Sequence, residues 1–293
     1  MARAMTRQQV MVSAGVGGVT VATIGGTLGA LALTEAEAPG ELVVRAIRGD
    51  ASAAADPTAD AWGAARRTRV PILPQQLVPP ALESAGIVDL EVEALHDDET
   101  VAFRLTWDDA SLDDLDGVRR YHDAVAVMLP TAPGDPPAIT MGARGVPVHI
   151  LQWRATWQRD LDGKTGVDQI YPRVIHDVMP DDVLPAGVAA EYWVARKAGN
   201  PLSQAKRTSP IEQVVAEGFG TTTHVPGGDA RGAGVHDGER WRVAIAFPRA
   251  RPGFGDPLAP DGRWHASFAV WLGERENRGG RKHYADWVPL RLA

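Results

Sequence analysis

Cysteine is absent from the 293 residues. Its absence excludes disulfides, thiolate zinc sites, iron–sulfur clusters, a cysteine nucleophile and covalent CxxCH haem attachment. A redox centre in this chain has to be held by His, Met, Lys, Tyr or carboxylate. Long basic stretches are missing too. Lys and Arg number 30 against 37 Asp and Glu, for a net charge of -7 and a pI near 5.6. Nothing here tracks a phosphate backbone, so nucleic acid is not expected as a partner. No GxGxxG or Walker loop follows a strand-like run, no βαβ alternation appears and there is no GxSxG. The eight histidines, among them His224 and His283, form no HxxxH or HExxH spacing, which leaves a zinc hydrolase unsupported.

Uninterrupted hydrophobic runs are equally scarce, with one exception. Val10 to Leu33 carries no charge over 24 residues, about 36 Å as a helix and enough to span a bilayer. Arg3 and Arg7 precede it, which predicts a cytoplasmic N-terminus. The segment reads either as a secretory signal, cleaved near Ala30-Leu31-Ala32 or Ala36-Glu37-Ala38, or as a retained anchor. There is no twin-arginine pair. Both readings put the rest of the chain outside the cytoplasm, in the periplasm or on the outer face of the cytoplasmic membrane. Residues 1–38 are therefore expected to be a signal peptide or anchor, and residues 39–293 a single domain.

In that domain the apolar residues alternate with period two. Val88, Leu90 and Val92, then Val101, Phe103, Leu105 and Trp107, then Val125, Val127 and Leu129, then Trp241, Val243, Ile245 and Phe247, and lastly Phe268 and Val270 each mark one face of a strand. Asp-Gly turns at Asp116, Asp162 and Asp237 separate them, and Gly 31 and Pro 22 suit many short connections. The expected fold is all-β, an antiparallel β-sandwich carrying a long insertion and the N-terminal hydrophobic helix. The Ala-, Arg- and Pro-rich stretch from Ala55 to Pro80 reads as an extended arm or edge strand. Asp160 to Gly228 reads as an insertion with one helix, "SPIEQVVAEGFG", where Ser209 caps, Pro210 takes the first helical position, Glu212 completes a capping box and Gly218 or Gly220 ends it. Trp107, Trp153 and Trp241 are expected in the core. Asp108-Asp109 and Asp113-Asp114 are expected in solvated turns.

Taken singly, Met141 before "ARGVPVHILQWRA" is packing and Lys282 in a charged loop is a solvated turn. Together with "AGNPLSQAKRTSPIEQVVAEGFGT", "GAGVHDGERWRVAIAF" and "FAVWLGERENRGGRKHYADWVPL", they give a chain that resembles one family. It is similar to the haem b-binding gamma subunits of ethylbenzene dehydrogenase, dimethyl sulfide dehydrogenase, selenate reductase and chlorate reductase, in the type II DMSO reductase group of molybdoenzymes. The resemblance runs from about Val43 to the C-terminus. It is most specific at Met141-Gly142 and at the terminal Gly-Gly-Arg-Lys, Gly279 to Lys282.

The resemblance implies a single β-sandwich holding one noncovalent haem b between a Met and a Lys. The Met falls on Met141 and the Lys on Lys282, with Lys206 the second choice and His283 and His224 further alternatives. It also implies a non-catalytic, electron-transferring subunit. Its implied partners are a molybdenum alpha subunit, an iron–sulfur beta subunit and a soluble or membrane electron carrier. A thioether is a soft, neutral ligand that favours ferrous iron, a buried lysine loses its proton more readily, and Gly142 leaves room for a flat macrocycle. Arg144 and Arg281 are possible propionate partners. The rival reading is an exported β-sandwich that binds carbohydrate on exposed Trp rings, since fold alone does not separate the two.

Overall fold

The computed structural model describes residues 42–163, 173, 194–203, 207–225 and 228–293. The N-terminal segment, Lys206 and most of the expected insertion lie outside the described residues. Fourteen strands follow in chain order: β1 Val44–Arg48, β2 Thr68–Pro71, β3 Leu73–Pro74, β4 Asp89–His96, β5 Thr100–Asp108, β6 Ala124–Pro130, β7 Val148–Arg154, β8 Ile211–Ala216, β9 Thr223–His224, β10 Arg231–His236, β11 Arg240–Pro248, β12 Trp264–Trp271, β13 His283–Tyr284 and β14 Val288–Leu292. Among the described residues there are two short α-helices, α1 Ala155–Leu161 and α2 Val194–Lys197. Among the described residues no helix is long and apolar enough to cross a membrane.

The strands form one sheet path folded on itself, in the order β10-β11-β5-β4-β1-β14-β12-β6-β7-β8-β9. The fold happens at β12. Its first half, Trp264 to Ala266, pairs with β14, and its second half, Ser267 to Trp271, pairs with β6. The two halves of the sheet then face each other over a common core. Phe103 on β5 meets Phe268 on β12 edge to face at 6.0 Å, and Trp153 on β7 meets Trp241 on β11 at 4.8 Å. Trp107, Trp153 and Trp241 are all buried in this core, as the alternation led one to expect. The period-two pattern thus yields the sandwich.

Three details depart from the expected pattern. First, the pairing is not antiparallel throughout: β1 runs parallel to both β4 and β14. The chain between β1 and β4 is long enough for the crossover a parallel pair requires. Second, "SPIEQVVAEGFG" is a strand and a turn, not a capped helix. Ser209 Oγ donates to the Ala230 carbonyl at 2.7 Å and accepts from the Ile211 amide at 3.2 Å, at the start of a strand and not of a helix. Ile211, Val214 and Val215 are β-branched, and β8 completes the pairing of β7 from Val148↔Ala216 to Trp153↔Ile211. The insertion therefore ends before β8, which belongs to the sheet. Third, Asp109 is buried, unlike its exposed neighbour Asp108. Burial pushes its carboxyl above the usual range. The stretch from Ala55 to Pro80 does contain an edge strand, since β2 flanks β4.

Candidate functional site

The outward face of the β12-β6-β7-β8 half is apolar as well. Ala124, Ala126 and Met128 on β6, Val148 and Ile150 on β7, Val214 and Ala216 on β8, and Ala269 and Trp271 on β12 form a second buried cluster, distinct from the sandwich core. These are the alternate residues of strands whose other face lines the core. Small side chains make much of this surface a low platform. Loops close over it: Gln75 to Pro80 from one side, Ile139 to Met141 from another, and Phe219-Gly220 from a third. The partly open cavity is about 440 Å³, within the size range of sites for small ligands and cofactors.

Met141 and Lys282, distant in the chain, meet in this cavity, with Lys282 Nζ 3.9 Å from Met141 Sδ. The Met141 backbone sits at φ 71, a left-handed conformation costing on the order of 1 kcal/mol for a residue with a side chain. Three hydrogen bonds hold that loop. The Gly142 amide donates to the Ala138 carbonyl at 2.9 Å, the Gly218 amide donates to the Met141 carbonyl at 2.8 Å, and Trp287 Nε1 donates to the Pro137 carbonyl at 2.8 Å. Gly142 is itself at φ 85, and a Cβ there would stand 2.7 Å from the Val146 carbonyl oxygen. The glycine is required by the protein's own backbone rather than by space for a macrocycle, which corrects the sequence-based reason for it.

Lys282 is placed by a separate clamp. The Gln75 amide donates to the Lys282 carbonyl at 2.9 Å, Gln75 Nε2 donates to the Gly280 and Val78 carbonyls at 2.8 Å each, and Trp271 Nε1 donates to the Gly279 carbonyl at 3.0 Å. The ammonium lies 5.3 Å from the centre of the Trp271 ring. Burial lowers its pKa to about 8. His283, the next residue, is turned away: its Nε2 accepts a hydrogen bond from the Gly86 amide at 2.8 Å, and burial holds its pKa down near 4. His224 stands 3.8 Å from a Glu212 oxygen and does not line the cavity. Arg144 and Arg281 do not line it either, and both are exposed. The arginine that does is Arg154, paired with Glu212 on the neighbouring strand.

Sequence reasoning missed Gln75, Arg154, Glu212 and Trp271. One signal was available: the off-core residues of "DAVAVMLP" are Ala124, Ala126 and Met128, apolar where a solvated face would be polar. Among the described residues no group of three or more His, Asp or Glu converges to hold a metal ion.

Residues 59–283 match the family model described as Ethylbenzene dehydrogenase, which spans well over half of the chain and both Met141 and Lys282. The chain belongs to the ethylbenzene dehydrogenase family. Within reach of that family, the chain is 24% identical over 233 residues to a candidate respiratory nitrate reductase heme subunit, ORF7, of Haloferax mediterranei, covering 79% of this chain and 66% of the relative. It is 31% identical over 134 residues to the chlorate reductase subunit gamma of Ideonella dechloratans, covering 41% of this chain and 56% of the relative. The matches thus span just under two thirds and just over half of the length of these relatives.

Proposed function

We propose that this chain is the haem-carrying gamma subunit of a molybdoenzyme complex, that it holds one noncovalent haem b, and that Met141 and Lys282 are the two axial ligands. The observation that carries the reading is the approach of Lys282 Nζ to Met141 Sδ at 3.9 Å inside an apolar cavity, in a chain of this family. Two donors this close, carried on separate loops and both lining the cavity, could be engaged together by one bound metal ion. The donor set also fits by its chemistry. Both ligands are neutral when they bind, the chain offers no thiol, and the platform of small apolar residues suits a flat ring.

Bound there, the haem iron supplies reversible one-electron transfer. Each of this chain's residues has a defined part. Met141 offers a soft thioether that favours the reduced metal. Lys282 has to give up its proton to offer a lone pair, and its burial among Trp271 and the alanine platform brings that deprotonation into the physiological range. Two protein ligands leave no coordination position for a substrate, so the role proposed is electron relay rather than turnover. The relay connects an iron–sulfur subunit beside a molybdenum catalytic subunit with an external carrier. The names of the two relatives support the assembly with a reductase. Export is proposed on the uncharged run from Val10 to Leu33 behind Arg3 and Arg7.

The carbohydrate-binding alternative rests on exposed tryptophan rings. Among the described residues every tryptophan is buried or half-buried, and Trp287, the most accessible, donates its Nε1 to Pro137. The test is the full-length chain purified from haem-replete cells. A pyridine haemochrome spectrum of b type, with all pigment extracted by acid-acetone, is expected at one haem per chain. A colourless protein would overturn the proposal.

A further inference from the structure

Apart from Lys282, the charged side chains that line the cavity, Arg154 and Glu212, share one corner. Arg154, the last residue of β7, hydrogen-bonds Glu212 Oε2 on β8 through Nη2, and the same nitrogen reaches Gln152 Oε1 at 3.2 Å. The guanidinium carbon lies 5.5 Å from the Trp157 ring. Of the other two nitrogens, Nε is walled off by protein without a partner, whereas Nη1 is not enclosed in this way and has no hydrogen-bond partner among the described residues, which leaves it free to meet an acceptor in the cavity that Arg154 lines. The register puts this donor in a telling place. Trp271 on β12 pairs with Ala124 on β6, and Ala124 pairs with Arg154 on β7. The three form one row across the outward face, so Arg154 lies two strand spacings, about 10 Å, from Trp271. Lys282 Nζ stands over that same Trp271.

We propose that Arg154 receives one propionate carboxylate of the porphyrin through its Nη1–H donors. It thereby sets the rotation of the ring on the apolar platform while Met141 and Lys282 hold the centre. The inference rests on the haem reading above. Glu212 moderates the interaction. Its carboxylate already holds Nη2, so Arg154 meets an incoming anion with part of its charge compensated. Neutralising Glu212 should free the guanidinium and tighten the contact. Arg154 is a positioning residue here, since it touches the edge of the cofactor and not the iron.

The test compares haem with haem dimethyl ester, which keeps the iron and loses both carboxylates. Haem is stripped from the full-length protein, and each compound is titrated back while the Soret band is followed. The wild type should bind haem about ten-fold more tightly than the ester, as expected for one charge-assisted hydrogen bond. Arg154→Met should bring the ratio toward one, and Glu212→Gln should widen it. The Arg154→Met/Glu212→Gln double variant leaves no unpaired buried charge, and it should behave as Arg154→Met does. All four proteins should keep the six-coordinate low-spin spectrum. If Arg154→Met and the double variant keep the wild-type ratio, or Glu212→Gln fails to widen it, the propionates lie elsewhere and the inference falls while the haem reading stands. If the wild type binds neither compound, both fall.

Discussion

Lys282 is a cation set into an apolar wall with no acidic partner among the described residues, and burial alone accounts for its lowered pKa of about 8 against 10.5 for a free lysine. Because the folded value lies below the unfolded one, the unfolded chain binds more protons between those two pH values. This residue therefore destabilises the haem-free fold fully below pH 8, and the penalty is relieved as pH rises toward 10.5. The difference corresponds to roughly 3 kcal/mol as a ceiling. Lys282→Met should accordingly raise the stability of the haem-free protein at pH 7, and the two urea-unfolding curves should converge above about pH 10.5. An unmoved midpoint at pH 7 would contradict the burial argument. In the haem-loaded protein the same residue works in the opposite sense. Lys282→Ala should lose the low-spin spectrum, and acidification should drive only the wild type from low to high spin, as protons compete for the amine. Met141→Ala should open an axial position and lower the reduction potential, read by spectroelectrochemistry; an unchanged potential would return Met141 to a packing role. Met141 and Lys282 were reached in the sequence only through the family resemblance, since singly each reads as packing or as a solvated turn. Arg154, Glu212 and Gln75 were not reached, since their places come from pairing with residues far along the chain, and register is invisible in a single sequence.

At the level of elements, the lesson of β8 is that capping chemistry and strand chemistry use the same letters. Ser209 and Glu212 read as a capping box, yet the hydroxyl goes to Ala230 and the carboxylate to Arg154. The neighbouring β7 offered an unpaired edge, and tertiary pairing overrode the local signal. The alternation of β6, β7 and β12 was legible on its core side. Its outward side was not recognised as a second covered face, although Ala124, Ala126 and Ala269 would be wasted on solvent. The loop carrying Met141 makes the sharpest demand on a single element. Gly142→Ala would put a methyl 2.7 Å from the Val146 carbonyl at a positive φ, so a loss of about 2 kcal/mol is expected. The thioether should also be displaced. Thermal unfolding reads the first effect and the Soret spectrum the second; a variant with wild-type melting and spectrum would show that the loop tolerates a side chain there.

At the level of the whole molecule, the sequence argument for export stands on residues 1–38 alone. A reporter fused after Ala38 should be active only outside the cytoplasm, and membrane fractionation of the full chain should then separate a retained anchor from a cleaved signal. Activity in the cytoplasm would refute the reading of Val10 to Leu33. The sandwich itself was legible because its core faces follow one simple period, while the parallel placement of β1 depends on a crossover that no local pattern announces. The position of the cavity carries a consequence for how the protein is made. It lies on the outward face of one half of the sheet, and the core between the halves is complete without it, filled by Phe103, Trp153, Trp241 and Phe268. On the proposed haem reading, folding and loading should therefore be separable events: a haem-free preparation is expected to unfold cooperatively, as a complete core requires, and the supply of cofactor should limit the loaded fraction rather than the amount of folded protein.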